Sequence, residues 1–542
     1  MLKIEIMYMI CTYFTKQPAY MIICGLVCLF NLAGCTQHNY KKEADEKVYN
    51  IIDQKWQEEF GTKANYKISD TTPSSSDIQV EKAVPASGVL SLSQAVALAT
   101  AHNREYQTNK EELYIKALDL SLTRHEFEKR FFRVVEGGYA ADRNDEVLGI
   151  EANYGFNQLL ASGTRISAKV ATAWADVLSG NLRSGLTSLL SVTLIQPLLR
   201  GGDRRVVLEN LTQAERDTLY EIRSFNRYRK KFVVSVISQY YIVMQRLDAV
   251  KNARTNYNTL SQVIGRTEKL ANAGRIPQFE LDRAQQDKLK AFDISLQAER
   301  EYKQALDELK ITLSLPTTAE LQLDENELEA LRASEMAKPD FSEAEVIEAA
   351  LLRRLDMANN ADEVIDAQRK VFVAADALRA ELNIIGSASA VSSQRADRKT
   401  IGSLREEYDL GFELDFPLDR VPEQHVYRKA LITLNQRQRE YDLATDIVRL
   451  QVRQAYRELD EAAERHKVQL EALQLAETRF NKTYLLLQYG RASSRRVLSA
   501  QDDLFDAQNA ATQTLVDYTI ATLNFYRDTG VLHVRPDGMW ER

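Results

Sequence analysis

Two stretches of this chain, 205–273 and 421–488, each run for nearly seventy residues with a single interruption, Gly265 in the first and Pro422 at the head of the second. In the second, Ala444, Val448, Val452, Ala455, Leu459, Ala462, His466, Leu470, Leu473, Ala476, Phe480, Tyr484 and Leu487 recur at steps of three or four with charges between them. That is the seam of a long packed helix. At 1.5 Å per residue it extends roughly 100 Å, a length no compact globule needs. Each stretch ends at a glycine, Gly274 or Gly490, followed by a returning helical pattern, so each is one arm of a helical hairpin. The 21 glycines and 10 prolines in 542 residues argue against a many-turned all-β fold.

The two halves repeat. The segment ANAGRIPQFELDRAQ (Ala271–Gln285) aligns, 216 positions later, with LQYGRASSRRVLSAQ (Leu487–Gln501), with Gly, Arg, Ala and Gln coinciding. LIQPLLR (Leu194–Arg200) likewise aligns with LDFPLDR (Leu414–Arg420), and Tyr240 with Tyr456. Pro197 precedes Gly274 by 77 residues and Pro417 precedes Gly490 by 73, a difference of four, close to one helical turn, which keeps the buried face nearly in phase. The repeats are assigned to 90–340 (strands about 131–199, hairpin 202–315) and 341–542 (strands about 382–416, hairpin 421–530).

Ahead of each hairpin the period changes from 3.6 to 2. In 164–174, Ile166, Ala168, Val170, Thr172 and Trp174 oppose Arg165, Ser167 and Lys169; in 408–416, Tyr408, Leu410, Phe412, Leu414 and Phe416 oppose Asp409, Gly411, Glu413 and Asp415. These read as strands with one apolar and one polar face, half-buried in a soluble sheet or set between lipid and water. The first strand region is about twice as long as the second, and its extra segment, Ala152–Gly163, reads as an extracellular loop, an additional hairpin or a periplasmic elaboration.

All four cysteines, Cys11, Cys24, Cys28 and Cys35, lie in the first 35 residues, which leaves the body without a disulfide or a cysteine metal site. Residues 19–34 form an apolar run behind Lys3 and Lys16, the pattern of a secretory signal peptide (1–34), with Met7 and Met9 as alternative starts. It ends in Leu32-Ala33-Gly34-Cys35, which resembles the bacterial lipobox and predicts lipidation (palmitate) at Cys35. Residues 35–89, interrupted by Pro73, a serine run and Pro85, read as a polar tether.

Together these features resemble the TolC-type outer-membrane efflux and secretion channels, as a lipoprotein member of that family. The resemblance is carried by the lipobox, QPLLRGG (Gln196–Gly202) with its partner FPLDR (Phe416–Arg420), Arg353-Arg354-Leu355-Asp356, and the turn YGRASSRRVLSAQDDL (Tyr489–Leu504), in duplicated order. It implies a mainly α chain with a small β part: long helical hairpins forming a periplasmic α-barrel, and four or so strands per protomer in a trimeric outer-membrane β-barrel of twelve strands. It also implies a passive exit duct for an inner-membrane pump and a periplasmic adaptor, located in the outer membrane and contacting its lipid. Independently, four strands cannot close a barrel, so such a chain must oligomerise.

The strand-to-helix turns are assigned to Pro197, Gly201, Gly202 and Pro417, and the periplasmic tips to Gly274 and Gly490. In the family, the second-half tip carries two inward aspartates that bind a cation; the matching positions here are Arg496 and Ser499, so that site is not carried over. The first-half equivalent of Arg496 is Glu280. Glu280 and Arg496 are therefore expected either as solvated helix residues or as a charge pair between adjacent hairpins that helps close the tip.

Chemistry has no visible ligand set. The six histidines are scattered without an H-E-x-x-H, Gly201-Gly202 lacks a phosphate-loop signature, and no carboxylate pair stands out as acid and base. No enzyme, metal or cofactor is expected. The formal net charge of −7 disfavours nucleic acid. His466 reads as a packed seam residue, and the cluster Arg223, Arg227, Arg229, Lys230 and Lys231 as a solvated face or an anionic-lipid contact. The competing reading is a lipid-anchored periplasmic coiled-coil scaffold without channel activity, which leaves the alternating strands unexplained.

Overall fold

The computed structural model describes residues 37–57, 60, 63, 65–69, 88–141, 146–179, 185–334, 341–395, 405–535 and 540–541. The signal segment, Cys35 and Pro73 to Pro85 of the tether lie outside them. The chain divides into two units, Met1–Lys55 and Trp56–Arg542. The described part of the first is a helix, α1 (Gln37–Lys55), with Val48, Ile51 and Ile52 buried at i, i+3 and i+4. The polar tether thus contains nineteen helical residues, because its first part has neither glycine nor proline and carries one apolar stripe.

In the second unit the two repeats use the same parts. The first begins with α2 (Leu92–His102) and α3 (Arg104–His125), then four strands, β2 (Arg130–Ala141), β3 (Glu146–Leu159), β4 (Arg165–Ser179) and β5 (Gly185–Pro197), after a short β1 (Val89–Leu90). A four-residue turn of helix, α4 (Arg204–Val207), leads into α5 (Glu209–Asn272), and α6 (Gln278–Thr312) returns. The connector holds β6 (Gln322–Leu323), parallel to β1, and α7 (Asn326–Ala333). The second repeat has α8 (Glu343–Arg353), α9 (Leu355–Asp376), β7 (Glu381–Arg395), β8 (Arg405–Asp415), α10 (Val421–Gln488) and α11 (Ser494–Asp528), closed by β9 (His533–Val534) and β10 (Trp540–Glu541).

Equivalent residues perform equivalent tasks. Gly274 (φ +67°) and Gly490 (φ +69°) both take the left-handed conformation that spares glycine a Cβ clash. In each tip the next residue's N–H bonds back five residues around the turn, Arg275 to the Leu270 carbonyl (2.9 Å) and Arg491 to Leu486 (2.8 Å). The Tyr240 hydroxyl donates to the Leu90 carbonyl at 3.0 Å, and that of Tyr456 to Phe341 at 3.3 Å, so each long helix holds the head of its own repeat. The leading helix of each repeat breaks after ten or so residues, and the residue at the break reaches the end of the returning helix: Asn103 donates to the Thr312 carbonyl (2.9 Å) and Arg354 to that of Asp528 (3.4 Å).

Gly265 does not interrupt α5, since its neighbours pack on both sides and one glycine costs only about 1 kcal/mol in a helix. The seam read in α10 is buried at its ends. Val448, Val452, Ala455 and Leu459 pack with Tyr518 and Phe525 of α11, and Leu487 with Val497, Leu498 and Leu260 at the tip. Between them Leu470 is exposed.

Among the described residues six strands, where four or so are expected, form one antiparallel sheet in the order β2-β3-β4-β5-β7-β8. The segment Ala152–Gly163 is the end of β3 and its turn into β4, so the first repeat holds an additional hairpin. The extra pair escapes a count by alternation because glycines at 137, 138, 149 and 155 dilute the pattern in β2 and β3.

Candidate functional site

The register gives the sheet two chemically distinct faces. On one lie Phe131, Val135 and Tyr139 of β2; Phe156, Tyr154 and Ile150 of β3; Ile166, Val170 and Trp174 of β4; Leu194, Val192 and Leu190 of β5; Ile384 and Ala388 of β7; and Leu414, Phe412, Leu410 and Tyr408 of β8. The other carries Glu136, Glu151, Asn153, Lys169, Thr193, Ser387, Asp409 and Glu413. In a single chain the apolar face is open: Tyr408, Leu410 and Phe412 are 75%, 84% and 77% exposed. Charges on that face stand toward the strand ends: Arg133 lies three residues from the helix end of β2, where its long stem can reach an interface, and Glu146 and Glu406 lie at the opposite end, Glu146 opening β3 and Glu406 second in β8. Glycine is required at 155, whose Cβ would stand 2.7 Å from the Phe132 ring that lies across it from β2.

The strand-to-helix turn is built around the predicted glycines. Gly201 has φ +72°, and its N–H donates to the Asp376 carboxylate at 2.8 Å. A carboxylate of the chain itself thus occupies the N–H that a phosphate loop would offer. A Cβ on Gly202 would meet the Pro197 carbonyl at 3.0 Å, and the β3–β4 turn leans on the same place, where a Cβ on Gly163 would meet Pro197 at 2.9 Å. On the second-half side Pro417 starts the turn, and Arg420 donates to the Leu378 and Pro417 carbonyls while its guanidinium lies over Phe416.

The basic cluster is neither a solvated face nor free for lipid. Arg223 donates to Asp362 (2.6 Å), Arg227 to Asp356 (2.8 Å), the buried Arg229 to the Arg535 carbonyl (2.9 Å) and Lys230 to that of Gly530 (3.4 Å); Lys231 alone is exposed. The first two belong to a longer zipper between α5 and α9. Asp366 accepts from Arg216 (2.8 Å), Arg369 (2.7 Å) and Tyr220 (2.7 Å), and Arg369 also reaches Glu209 at 3.0 Å. Burial raises the Asp356 carboxyl, but the hydrogen bond from Arg354 and the charges of Arg227 and Arg354 together hold it below the usual range. The sequence carries only part of this signal: Asp362 and Asp366, and likewise Arg223 and Arg227, stand four residues apart, but nothing in it pairs the two helices.

At the tip, Glu280 is half-buried and Arg496 and Ser499 are exposed. Among the described residues no ion pair joins Glu280 to Arg496 within the chain. The two hairpins are tied there by Thr267 and Ser494 (2.9 Å) and by Arg266, which donates to the Leu487 carbonyl at 3.2 Å. His466 stacks on Tyr518 with a 20° interplanar angle, and burial lowers its pKa, the behaviour of a packed neutral ring.

No helix among the described residues is long and apolar enough to cross a membrane. No protein-family profile matches the sequence, and no curated protein matches it. Solved structures do. The outer-membrane channel OprN superposes with a TM-score of 0.58 at 15% identity, over 86% of this chain and 98% of its own. CusC, solved in a study of folding and transmembrane channel formation, gives 0.58 at 14% identity over 81% and 92%. The CmeC outer membrane channel of Campylobacter jejuni gives 0.58 at 13% identity over 88% and 91%. The fold of this chain, duplicated helical hairpins carrying a small antiparallel sheet, is the fold of these outer-membrane channels.

Proposed function

We propose that the chain is a passive exit duct of the outer membrane, acting as a homotrimer that passes substrates from an inner-membrane pump and a periplasmic adaptor to the exterior, in efflux or in type I secretion. The observation that carries this reading is the two-faced sheet. Its apolar face is continuous over six strands and uncovered, its opposite face is polar, and its two edges are open, an arrangement stable in hydrocarbon only when closed into a barrel. Helices of roughly 100 Å exceed a hydrocarbon core of about 30 Å and must extend into an aqueous compartment. Leu443, Ile447, Leu450, Val468 and Leu475 of α10 are exposed in the single chain, which favours packing against further copies. Acylation at Cys35 would add a lipid anchor to the barrel.

Purified protein added to a planar lipid bilayer should give discrete single-channel conductance. A protein that binds the bilayer and never conducts would be the scaffold instead. Incorporation of a labelled fatty acid should vanish in Cys35→Ala; label persisting there would remove the anchor from the scheme.

A further inference from the structure

We infer that all six strands belong to the membrane wall, so that three copies close an eighteen-stranded barrel through a seam between β8 of one protomer and β2 of the next. The inference rests on the trimeric duct reading and departs from the twelve strands implied by the family resemblance.

Four observations carry it. The edges are complementary in direction: β2 leaves the helical end and β8 returns to it, so a β8–β2 seam is antiparallel like every other neighbour pair in the sheet. Both edges are long, twelve and eleven residues, and every residue of β8 is exposed, a liability unless another strand pairs with it.

The sheet is already sheared for closure. Following register partners straight across, Arg130 lies level with Asn157, Ser167, Thr193, Ser387 and finally Asp409. The helix end of β8, however, is Asp415, six residues further on (415 − 409 = 6). Matching apolar face to apolar face at the seam requires an even stagger per protomer. A stagger of six sets Glu136 opposite Asp409 of the next copy, and a stagger of eight sets it opposite Gly411. With ~3.3 Å per residue and ~4.8 Å between strands, these give strand tilts of about 35° and about 42°, both within the range of outer-membrane barrels.

The calibre also fits. Eighteen strands at such tilts have a circumference of roughly 110 Å. Three copies of the four long helices α5, α6, α10 and α11, set about 9 Å apart, need about the same. The strand wall therefore continues the helical tube without narrowing. Barrels of this strand number leave an aqueous channel. The barrel then imposes no size filter of its own, and bulky solutes delivered through the tube pass it.

The mature body has no cysteine beyond position 35, which makes disulfide trapping clean. Glu136→Cys should be combined in turn with Asp409→Cys and with Gly411→Cys in the full-length membrane protein, oxidised, and run on non-reducing gels. Covalent dimers and trimers from either pair are expected, and the pair that links reports the stagger. Ser387→Cys with Asp409→Cys, register partners within one chain, should lose free thiols without new oligomer bands and so reports that the strands have formed. If the extra hairpin lay outside the wall, β8 would meet β4, and level helix ends would set Ala171→Cys against Asp409→Cys. Interchain linkage from that pair overturns the inference. So does the absence of linkage from the β2 pairs while lysine cross-linking still yields trimers and conductance persists, which leaves the duct reading standing. A monomer without conductance overturns both.

Discussion

Asp366 offers the sharpest test of how the first repeat's hairpin is held beside the second repeat's leading helix. Its carboxylate is buried and accepts four hydrogen bonds, from Gln213 (3.1 Å), Arg216 (2.8 Å), Tyr220 (2.7 Å) and Arg369 (2.7 Å). Asp366→Ala leaves two guanidinium groups short of a partner. Removing one member of a buried ion pair costs about 3–5 kcal/mol. Arg216 and Arg369 keep other acceptors, Asp362 at 3.4 Å and Glu209 at 3.0 Å, and are 27% and 24% exposed, which lowers the expectation. A loss of about 2–3 kcal/mol follows, and with a urea slope near the upper end of 1–3 kcal/mol per molar the midpoint should fall by about 1 M. The assay is urea unfolding of detergent-solubilised protein, followed by helical circular dichroism at one fixed protein concentration. Asp446→Ala is the control, since its pair with Arg449 is 71% and 51% exposed and contributes no more than about 0.5 kcal/mol. Equal midpoints for the two variants would refute the argument that the zipper holds α9 against α5.

Phe412→Arg places a charge on the apolar face, at about 2–4 kcal/mol near a bilayer midplane, and should impair assembly far more than Glu413→Arg, measured as trimer recovered from outer membranes. Equal tolerance would mean that the faces are reversed or that β8 is not in the membrane. If Glu280 and Arg496 of neighbouring hairpins pair across protomers to close the tip, reversing either charge should raise resting conductance, and Glu280→Arg with Arg496→Glu should lower it again. Unchanged closed states in both single reversals would exclude these residues as the gate. Burial pulls Lys110 and Lys230 down to about 8, Arg229 and Arg227 adding to the effect at Lys230, so between pH 8 and about 10 the unfolded chain holds more protons than the folded one and stability should rise with pH. Above about 10 the trend should reverse, because burial holds the Tyr106 hydroxyl up to about 12 while an unfolded tyrosine ionises near 10. A urea midpoint that falls between pH 8 and 9.5 would contradict the first sign, and Lys110→Met should flatten the rise.

The long-range plan of this protein is written in local signals. A helix of 68 residues needs only a 3.6-residue repeat and freedom from proline after its first turn, and its bounds, Val421 and Gln488, follow from Pro422 and Gly490. The duplication is legible because the glycines, prolines and tyrosines that mark it act locally: Gly274 and Gly490 turn the chain by their own φ angles. Tertiary structure decided what depends on partners distant in sequence. Arg223 and Arg227 look like solvent-facing charges along α5, and only the packing of α9 brings Asp362 and Asp356 to them. Arg354 stands in a motif that the sequence singles out, but its task shows only when the fold places Gln451 and the Asp528 carbonyl within its reach. The strand number also emerged only in three dimensions. A strand's alternation says which side chains share a face, but whether β2 and β3 join the sheet is decided by backbone pairing, in a sheet whose β5–β7 partners stand up to 210 positions apart (Gly185 and Arg395), and by Phe132 packing against a glycine that carries no side chain to show in the pattern.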